Sequence, residues 1–226
     1  MLKINQIRCE VGETFSIHHI AKKLRCSSHD IHSFEIDRES IDARGDDLHY
    51  SYSVYASIKN EDKYLKNRDV KKESKEVYIL PTTTKTPSQR PIIVGFGPSG
   101  MYAGLILAEA GLKPIIIERG QAVEQRTKDI NEFFTKGKLL ESSNVQFGEG
   151  GAGTFSDGKL TTRMKNIRVS KVYEEFVEAG ANPAILYQQR PHLGTDVLQT
   201  IVKKIREKII CLGGEIYFDT KLESLY

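Results

Sequence analysis

The chain has 226 residues, enough for one large domain or two small ones with their own cores. Its formal net charge of +3 is too small to indicate a nucleic-acid-binding protein. No stretch is long and apolar enough for a membrane span, and the polar N-terminus is unlike a signal peptide, so we expect a cytoplasmic protein with no membrane partner.

The three cysteines are widely separated, which excludes a disulfide framework and a dithiol redox pair within this chain.

Residues 1–80 predict a small α+β domain. Alternating apolar residues indicate a strand that contains Leu2, Ile4 and Ile7, and another over 48–58. Between them, Ser16 can cap a helix with one apolar face. The residues of that face are Ile17, Ile20, Ala21 and Leu24.

The first domain is expected to end before residue 81. The mixed charges of 59–76 indicate a solvated face or loop, and Val77 and Ile79 predict a final strand. Residues 81–89 have linker composition, with two prolines and no large apolar side chain in 81–87. We therefore place a second domain at 90–226.

Histidines in the first domain raise the question of a metal. Cys26, His29 and His32 follow one another at three-residue intervals, with His18 and His19 nearby. Zinc usually requires four convergent ligands, and this spacing is not that of a zinc knuckle or finger. We interpret them as surface histidines and expect no metal site.

A strand, a glycine-rich turn, a helix and a second strand follow one another over 91–118. The apolar residues 91–94 fit a parallel strand buried on both faces. Gly95 allows a sharp turn, Gly97 lets the backbone approach a diphosphate, and Gly100 lets the helix lie close to the strand. This order of elements is typical of dinucleotide binding, which we favour over an unliganded turn.

Both ends of this motif offer ligand contacts. Pro98 is tolerated in the first helical turn, whose free N–H groups and dipole favour phosphate. Glu118 follows the second strand, and its carboxylate can accept hydrogen bonds from ribose hydroxyls. That carboxylate disfavours NADP, although Arg119 beside it leaves the preference open.

A second glycine-rich segment covers 148–158 and contains five glycines. Because such density costs backbone entropy, we favour a loop whose amides approach a cofactor over a mobile lid without cofactor contact. Ser156, Asp157 and Lys159 are then its nearest polar side chains, the alternatives being turn chemistry for Asp157 and a surface charge for Lys159.

Further helices are predicted at 122–136, from a Ser170 cap to Gly180, and from a Thr195 cap to Gly213. A third strand follows at 215–218. The crossover rule makes it parallel to the first two, in the order third, second, first. The predicted fold class is α/β, with an incomplete Rossmann-like parallel-sheet FAD-binding domain after the small α+β domain.

The segment 90–120, continued by SNVQFGEGGAGTFSDGKLTTR at 143–163, resembles the FAD-dependent dehydrogenase family often described as uncharacterised NAD(P)/FAD-dependent oxidoreductases. These belong to the glutathione-reductase-like flavoprotein superfamily, in which seventeen residues separate the last glycine from the acid, as they do here over 101–117. The SIDAR segment at 40–44 is similar to the N-terminal part of the family.

The resemblance implies extended FAD, with its ribose on Glu118, its diphosphate over 95–100 and its flavin near 148–159. Motif and resemblance together give one set of candidate cofactor-binding residues. They are Gly95, Phe96, Gly97, Pro98, Ser99, Gly100, Glu118, Arg119, Gly150, Gly151, Ala152, Gly153 and Ser156.

Members of this family continue well beyond the position of Tyr226. They add a second substrate or nicotinamide-binding region and a late strand, ending in Gly-Asp, that would pair beside 91–94. Without it, 91–94 becomes an open sheet edge. We therefore expect a fragment or half of a complex, unable alone to complete the flavin site.

The resulting expectation is an FAD-binding oxidoreductase, with NAD(P)H as co-substrate and no identified catalytic residue. The alternative is a non-catalytic nucleotide-binding module or subunit. An NAD-binding dehydrogenase domain is disfavoured, because the second glycine loop has no place in it and no catalytic dyad is recognisable.

Overall fold

The computed structural model describes residues 1–45, 47–83, 87–162, 164 and 166–225. Residues 84–86 of the predicted linker and Arg163 of the family-like segment lie outside the described residues.

The described chain divides into two compact units. Unit 1 consists of Met1–Val77, Pro183–Pro191 and a short stretch at the start of a later helix. Unit 2 contains the remainder from Tyr78 onward. The fold is mixed α/β, because unit 1 holds an antiparallel sheet and unit 2 a parallel one.

Unit 1 is built on a four-stranded sheet. Its strands are β1 (Leu2–Glu10), β2 (Ile31–Asp42), β3 (His49–Ile58) and β4 (Val70–Lys72). They lie in the order β2-β3-β1-β4, and all neighbours are antiparallel.

Helix α1 (Ile17–Leu24) packs on this sheet and buries Ile20, Ala21 and Leu24, as its apolar face predicted. A bulge in β1, at Gln6 with φ of +54°, shifts the register between Ile4 and Ile7. Because the bulge adds one residue, both isoleucines point into the core despite their three-residue spacing.

The predicted strand at Val77 and Ile79 is wrong. Both side chains are mostly exposed, and neither residue lies in a strand. The position beside β1 is taken by β4, which pairs with residues 2–4 from within the charged run. The chain has therefore left the sheet before Val77.

Unit 2 contains three short parallel strands, β5 (Ile92–Val94), β6 (Ile115–Ile117) and β7 (Glu215–Tyr217). Their order is β5-β6-β7, which confirms the predicted order of third, second, first. β6 is the central strand, and Ile116 at its middle is fully buried.

The expected burial of β5 on both faces is not found. Ile92 is 67% exposed and Val94 is 58% exposed. In the described chain β5 pairs with β6 on one side alone, so its other edge is open.

The remaining long helices are α2 (Pro98–Glu109), α3 (Val123–Lys136), α4 (Ile167–Glu178) and α5 (Thr195–Cys211). α4 begins three residues before the predicted Ser170 cap, and the residue that caps α5 is Gly194 rather than Thr195. The predicted apolar face of α5 is buried: Leu198, Ile201, Val202, Ile205 and Ile209.

Helix α2 lies directly on the parallel sheet. A methyl group added at Gly104 would come within 2.5 Å of Ile116 Cδ1. Close packing of α2 on β6 thus sets the position of the turn that precedes the helix. No helix in the described ranges combines the length and the hydrophobicity that crossing a membrane requires.

Candidate functional site

A crevice opens at the carboxyl ends of β5 and β6 in unit 2. Its cavity measures about 300 Å³. The walls are formed by residues 94–95, 117–119, Phe147 and 220–222. Open parallel sheets bind ligands in this position, outside the carboxyl ends of their strands.

The turn after β5 is held by its own glycines. Gly95 has φ of +93° and donates its N–H to Ile117 O at 2.7 Å, which continues the pairing with β6. A methyl group added at Gly100 would lie 2.0 Å from Gly95 O. Packing of helix against turn therefore requires glycine at position 100.

Gly97 differs from Gly100. Its φ of −73° suits any residue, and no heavy atom of the described residues lies within 4 Å of the position that a Cβ would occupy. Neither the backbone conformation nor packing among these residues demands glycine here. The space that a side chain would fill stays open beside the first turn of α2.

That first turn has the features expected at a phosphate-binding helix start. Pro98 is the first helical residue and Ser99 is exposed. The first intrahelical hydrogen bond runs from Met101 N–H to Gly97 O at 2.9 Å. The preceding N–H groups have no partner within the helix, which is the arrangement that binds anions.

Glu118 is buried and already engaged. One carboxylate oxygen accepts from Phe96 N–H at 2.6 Å and the other from Gly120 N–H at 2.8 Å. Each oxygen keeps a second lone pair, so the carboxylate can still accept from a ligand in the crevice. Glu118 thus fixes the turn in addition to lining the cavity.

Arg119 and Phe147 form a flat pair in the crevice wall. The Arg119 guanidinium carbon lies 3.4 Å from the centroid of the Phe147 ring. This cation–π contact holds two planar groups together at the mouth of the cavity.

The second glycine loop lies against the first. Gly150 donates its N–H to Phe96 O at 2.8 Å. A methyl group at Gly151 would lie 3.1 Å from Pro98 Cδ and 3.5 Å from Gly97 Cα. Two segments predicted separately from the sequence are therefore neighbours in unit 2.

Beyond Gly151 the loop becomes accessible. Ala152, Gly153 and Ser156 are exposed, and the Ser156 hydroxyl donates to Gly153 O at 2.8 Å. Asp157 and Lys159 form an exposed ion pair of 2.8 Å with each other. Solvent or a ligand can therefore reach Ala152, Gly153 and the Ser156 hydroxyl as well as this ion pair.

Phe96 belongs to the core rather than to the ligand surface. Its ring is fully buried against Phe218, with centroids 6.3 Å apart. Its N–H donates to the Glu118 carboxylate, and its carbonyl oxygen accepts from Gly150 N–H. Its backbone polar groups therefore already have protein partners, and a contact of Phe96 with a cofactor stays a prediction.

Sequence reasoning missed a buried charged group behind the second loop. Arg126 is fully buried and donates to Asn144 O, Val145 O and Glu149 O at 2.9, 2.9 and 2.5 Å. Burial lowers its pKa to about 10. Its spacing from Val123 and Ile130, three and four residues away, would have placed it on the inner face of α3.

Glu149 is the second missed residue. It is fully buried, and one carboxylate oxygen accepts from Val123 N–H at 2.7 Å and from Arg206 at 2.8 Å. Its other oxygen has no hydrogen-bond partner among the described residues. Burial raises the pKa of Glu149 to about 7, outweighing the hydrogen bond and the Arg206 charge.

The wall that follows β7 was also missed, because it lies in an irregular segment. Thr220 donates its N–H to Glu118 O at 3.0 Å, and residues 220–222 close one side of the cavity. No periodic pattern in this segment signals such a role.

Comparison with known proteins gives two matches. Residues 1–57 match a family described as a domain of unknown function (DUF8436). An uncharacterized protein of Clostridium beijerinckii (strain ATCC 51743 / NCIMB 8052) is 44% identical over 231 residues, which cover 99% of this chain. The chain spans 43% of the length of that curated relative.

Proposed function

We propose that unit 2 is a Rossmann-like domain that binds FAD, and that the protein is a flavoprotein oxidoreductase with NAD(P)H as co-substrate. FAD, when bound, supplies the hydride and electron chemistry, while the protein positions it. The chain spans less than half the length of its relative, so any activity of the whole protein is likewise proposed.

The observation that carries the proposal is Gly97. No packing contact in the part of the chain that the structure describes requires glycine there, yet it stands where a diphosphate would meet the start of α2. A side chain at this position would enter the open space. Glycine is what close approach of a ligand's phosphates to the backbone demands.

The volume of the crevice fits one end of the ligand. A volume of about 300 Å³ is at the low end of the range of roughly 300–1,000 Å³ for small-molecule pockets. It suits the adenosine end of a dinucleotide rather than the whole. The remainder would extend past Gly97 toward the accessible groups of Gly153 and Ser156.

Charge and shape in the crevice assign roles to its residues. The free lone pairs of Glu118 would accept from ribose hydroxyls, and the flat pair of Arg119 and Phe147 offers a surface for a purine ring. The first-turn amides of α2 would bind the diphosphate.

The alternative is a nucleotide-binding module without catalysis. In that case flavin would bind without turnover.

Calorimetric titration of the purified chain with FAD tests the proposal, with Gly97→Val as the decisive variant. We expect the variant to stay folded, with a loss of stability of about 1 kcal/mol for valine at the N-cap of α2, and to lose at least about tenfold in FAD affinity. Gly45→Val is the control, because Gly45, like Gly97, has no heavy atom of the described residues within 4 Å of its Cβ position and no left-handed φ.

Because the crevice would hold the adenosine diphosphate half of FAD, ADP is titrated beside FAD. Binding of neither FAD nor ADP by the wild-type chain, or equal binding by Gly97→Val, contradicts the site. Anaerobic addition of NADH or NADPH separates the two functions: bleaching of bound flavin supports the oxidoreductase, and its persistence supports the binding module.

A further inference from the structure

Three potential metal ligands converge in unit 1, far in sequence from the crevice motif. Cys9 lies near the end of β1, Glu13 in the turn that follows, and His19 in the first turn of α1. Their ligand atoms all lie within 4.8 Å of one another. Cys26, His29 and His32, the set considered from sequence spacing, do not converge in this way in the described chain.

The turn after β1 brings these residues together. Gly12, with φ of +90°, reverses the chain so that α1 returns along the strand. The inward-facing side of β1 then presents the Cys9 thiol to the start of the helix, where His19 lies. Sequence spacing alone does not indicate this set, because it depends on the reversal at Gly12.

His19 is held with one ring nitrogen toward Glu13. Its Nδ1 accepts from Ser16 N–H at 3.2 Å, and its ring stacks on Phe15 with centroids 5.3 Å apart. Nε2 lies 3.3 Å from a Glu13 carboxylate oxygen. Atoms that bind one tetrahedral Zn²⁺ at about 2.0–2.3 Å are separated by roughly 3.3–3.8 Å.

The Cys9 thiol has few competing partners. It is 1% exposed, and its hydrogen bonds are long: it donates to Glu13 O at 3.6 Å and to Glu10 O at 3.9 Å. A small movement of the exposed Glu13 side chain would complete the ligand set. Sulfur, imidazole nitrogen and carboxylate oxygen together are a donor set that zinc prefers.

We propose that Cys9, Glu13 and His19 bind a divalent cation of the zinc type, with the fourth position open to solvent or a small ligand. A thiolate and a carboxylate neutralise the two positive charges. With the cation on Nε2, the ring proton would lie on Nδ1. The Nδ1–H would then donate to the Ser16 hydroxyl, 3.2 Å away, in place of the hydrogen bond that Nδ1 accepts from Ser16 N–H.

The surroundings leave the fourth position reachable. Glu13 and His19 both line an open cavity of about 380 Å³. Its wall also contains Arg8, Lys22 and Lys23. Three protein ligands with an accessible fourth position are typical of catalytic rather than structural zinc. The site lies in the segment that matches the domain of unknown function.

Cobalt titration of the full chain, without an affinity tag and after treatment with a chelator, tests the proposal. We expect about one Co²⁺ per chain, with a thiolate-to-cobalt charge-transfer band that Zn²⁺ abolishes by displacement. Cys9→Ser should remove the band, and Glu13→Gln and His19→Gln should each weaken Co²⁺ binding at least about tenfold.

The controls are a thiol and a histidine that lie outside the ligand set. Cys211→Ser, at an exposed thiol, and His18→Gln, at the adjacent exposed histidine, should keep band and affinity. Because Cys9 is buried, Cys9→Ser can fail to fold, whereas Glu13 is exposed and Glu13→Gln is expected to fold. No band in the wild-type chain, a band that persists in folded Cys9→Ser, or unchanged affinity in Glu13→Gln would overturn the proposal.

Discussion

Gly150 donates its backbone N–H to the carbonyl oxygen of Phe96 at 2.8 Å. This hydrogen bond joins the second glycine loop to the turn after β5, although the two are far apart in the sequence. A change that displaces either loop is therefore expected to displace the other.

Gly100→Ala should destabilise unit 2 by more than Gly97→Ala, which loses only the preference for glycine at the N-cap of α2, about 1 kcal/mol or less. Alanine favours helices over glycine by about 1 kcal/mol, but a methyl group at position 100 would lie 2.0 Å from Gly95 O. Overpacking against fixed backbone costs about 1–3 kcal/mol, so the loss exceeds the gain. Thermal unfolding of both variants measures the difference, and equal melting temperatures would contradict the packing role of Gly100.

Glu118→Gln is expected to lower the free energy of unfolding by about 1.5–3 kcal/mol. The amide would place a donor opposite one of the N–H groups of Phe96 and Gly120 that the carboxylate now accepts. Urea denaturation measures the change, with the exposed Glu141→Gln as control. A variant as stable as the wild type would show that these two hydrogen bonds do not hold the turn.

Arg126→Met should be severely destabilising, by about 3–5 kcal/mol. It leaves three carbonyl oxygens, the buried one of Glu149 and the partly buried ones of Asn144 and Val145, without the donor that they now share. Lys128→Met, on the exposed face of the same helix, is the matched control and should change stability by no more than about 0.5 kcal/mol. Guanidinium denaturation of both variants decides whether the buried guanidinium holds the second loop.

The stability of unit 2 should fall as the pH rises from about 5 to about 8, and Glu149 should cause part of that fall. Its folded pKa, about 7, is above the ordinary glutamate pKa of 4.5. The folded state therefore binds the proton more tightly than the unfolded state. The resulting contribution to the free energy of unfolding is fully present below the unfolded pKa, and it is lost as the pH rises through the folded pKa.

The size of this effect is on the order of 3 kcal/mol for a shift of that extent. Urea unfolding at pH 5 and pH 8 measures it, and Glu149→Gln should flatten the difference because glutamine does not titrate. If the variant keeps the wild-type dependence, other groups are responsible.

Several elements could be predicted because their buried residues recur along the sequence at the spacing of a helix or a strand. The inner face of α5, including Ile201 and Ile205, repeats at helical spacing, and the strand order of unit 2 follows from the handedness of the crossovers. β2 could not be predicted in this way, since most of its residues from His32 to Asp42 are exposed or half-exposed and lack an apolar alternation.

The candidate site was predictable where glycine spacing carries the signal. The two loops containing Gly97 and Gly151 were found from sequence, but their contact depends on tertiary packing. Arg126 and Glu149 were not predicted as site residues, because charged residues are rarely buried. Their carbonyl and amide partners are distant in the sequence, and no local pattern reveals them.

The position of β6 has a consequence for synthesis of the chain. β6 pairs with β5, made just before it, but its other partner, β7, is made about a hundred residues later. At ribosomal rates of about 5–20 residues per second, that delay is roughly 5–20 seconds. During it, Ile115, Ile116 and Ile117 present an unpaired apolar strand edge, so a nascent chain paused between α2 and α5 is the form that most needs a chaperone.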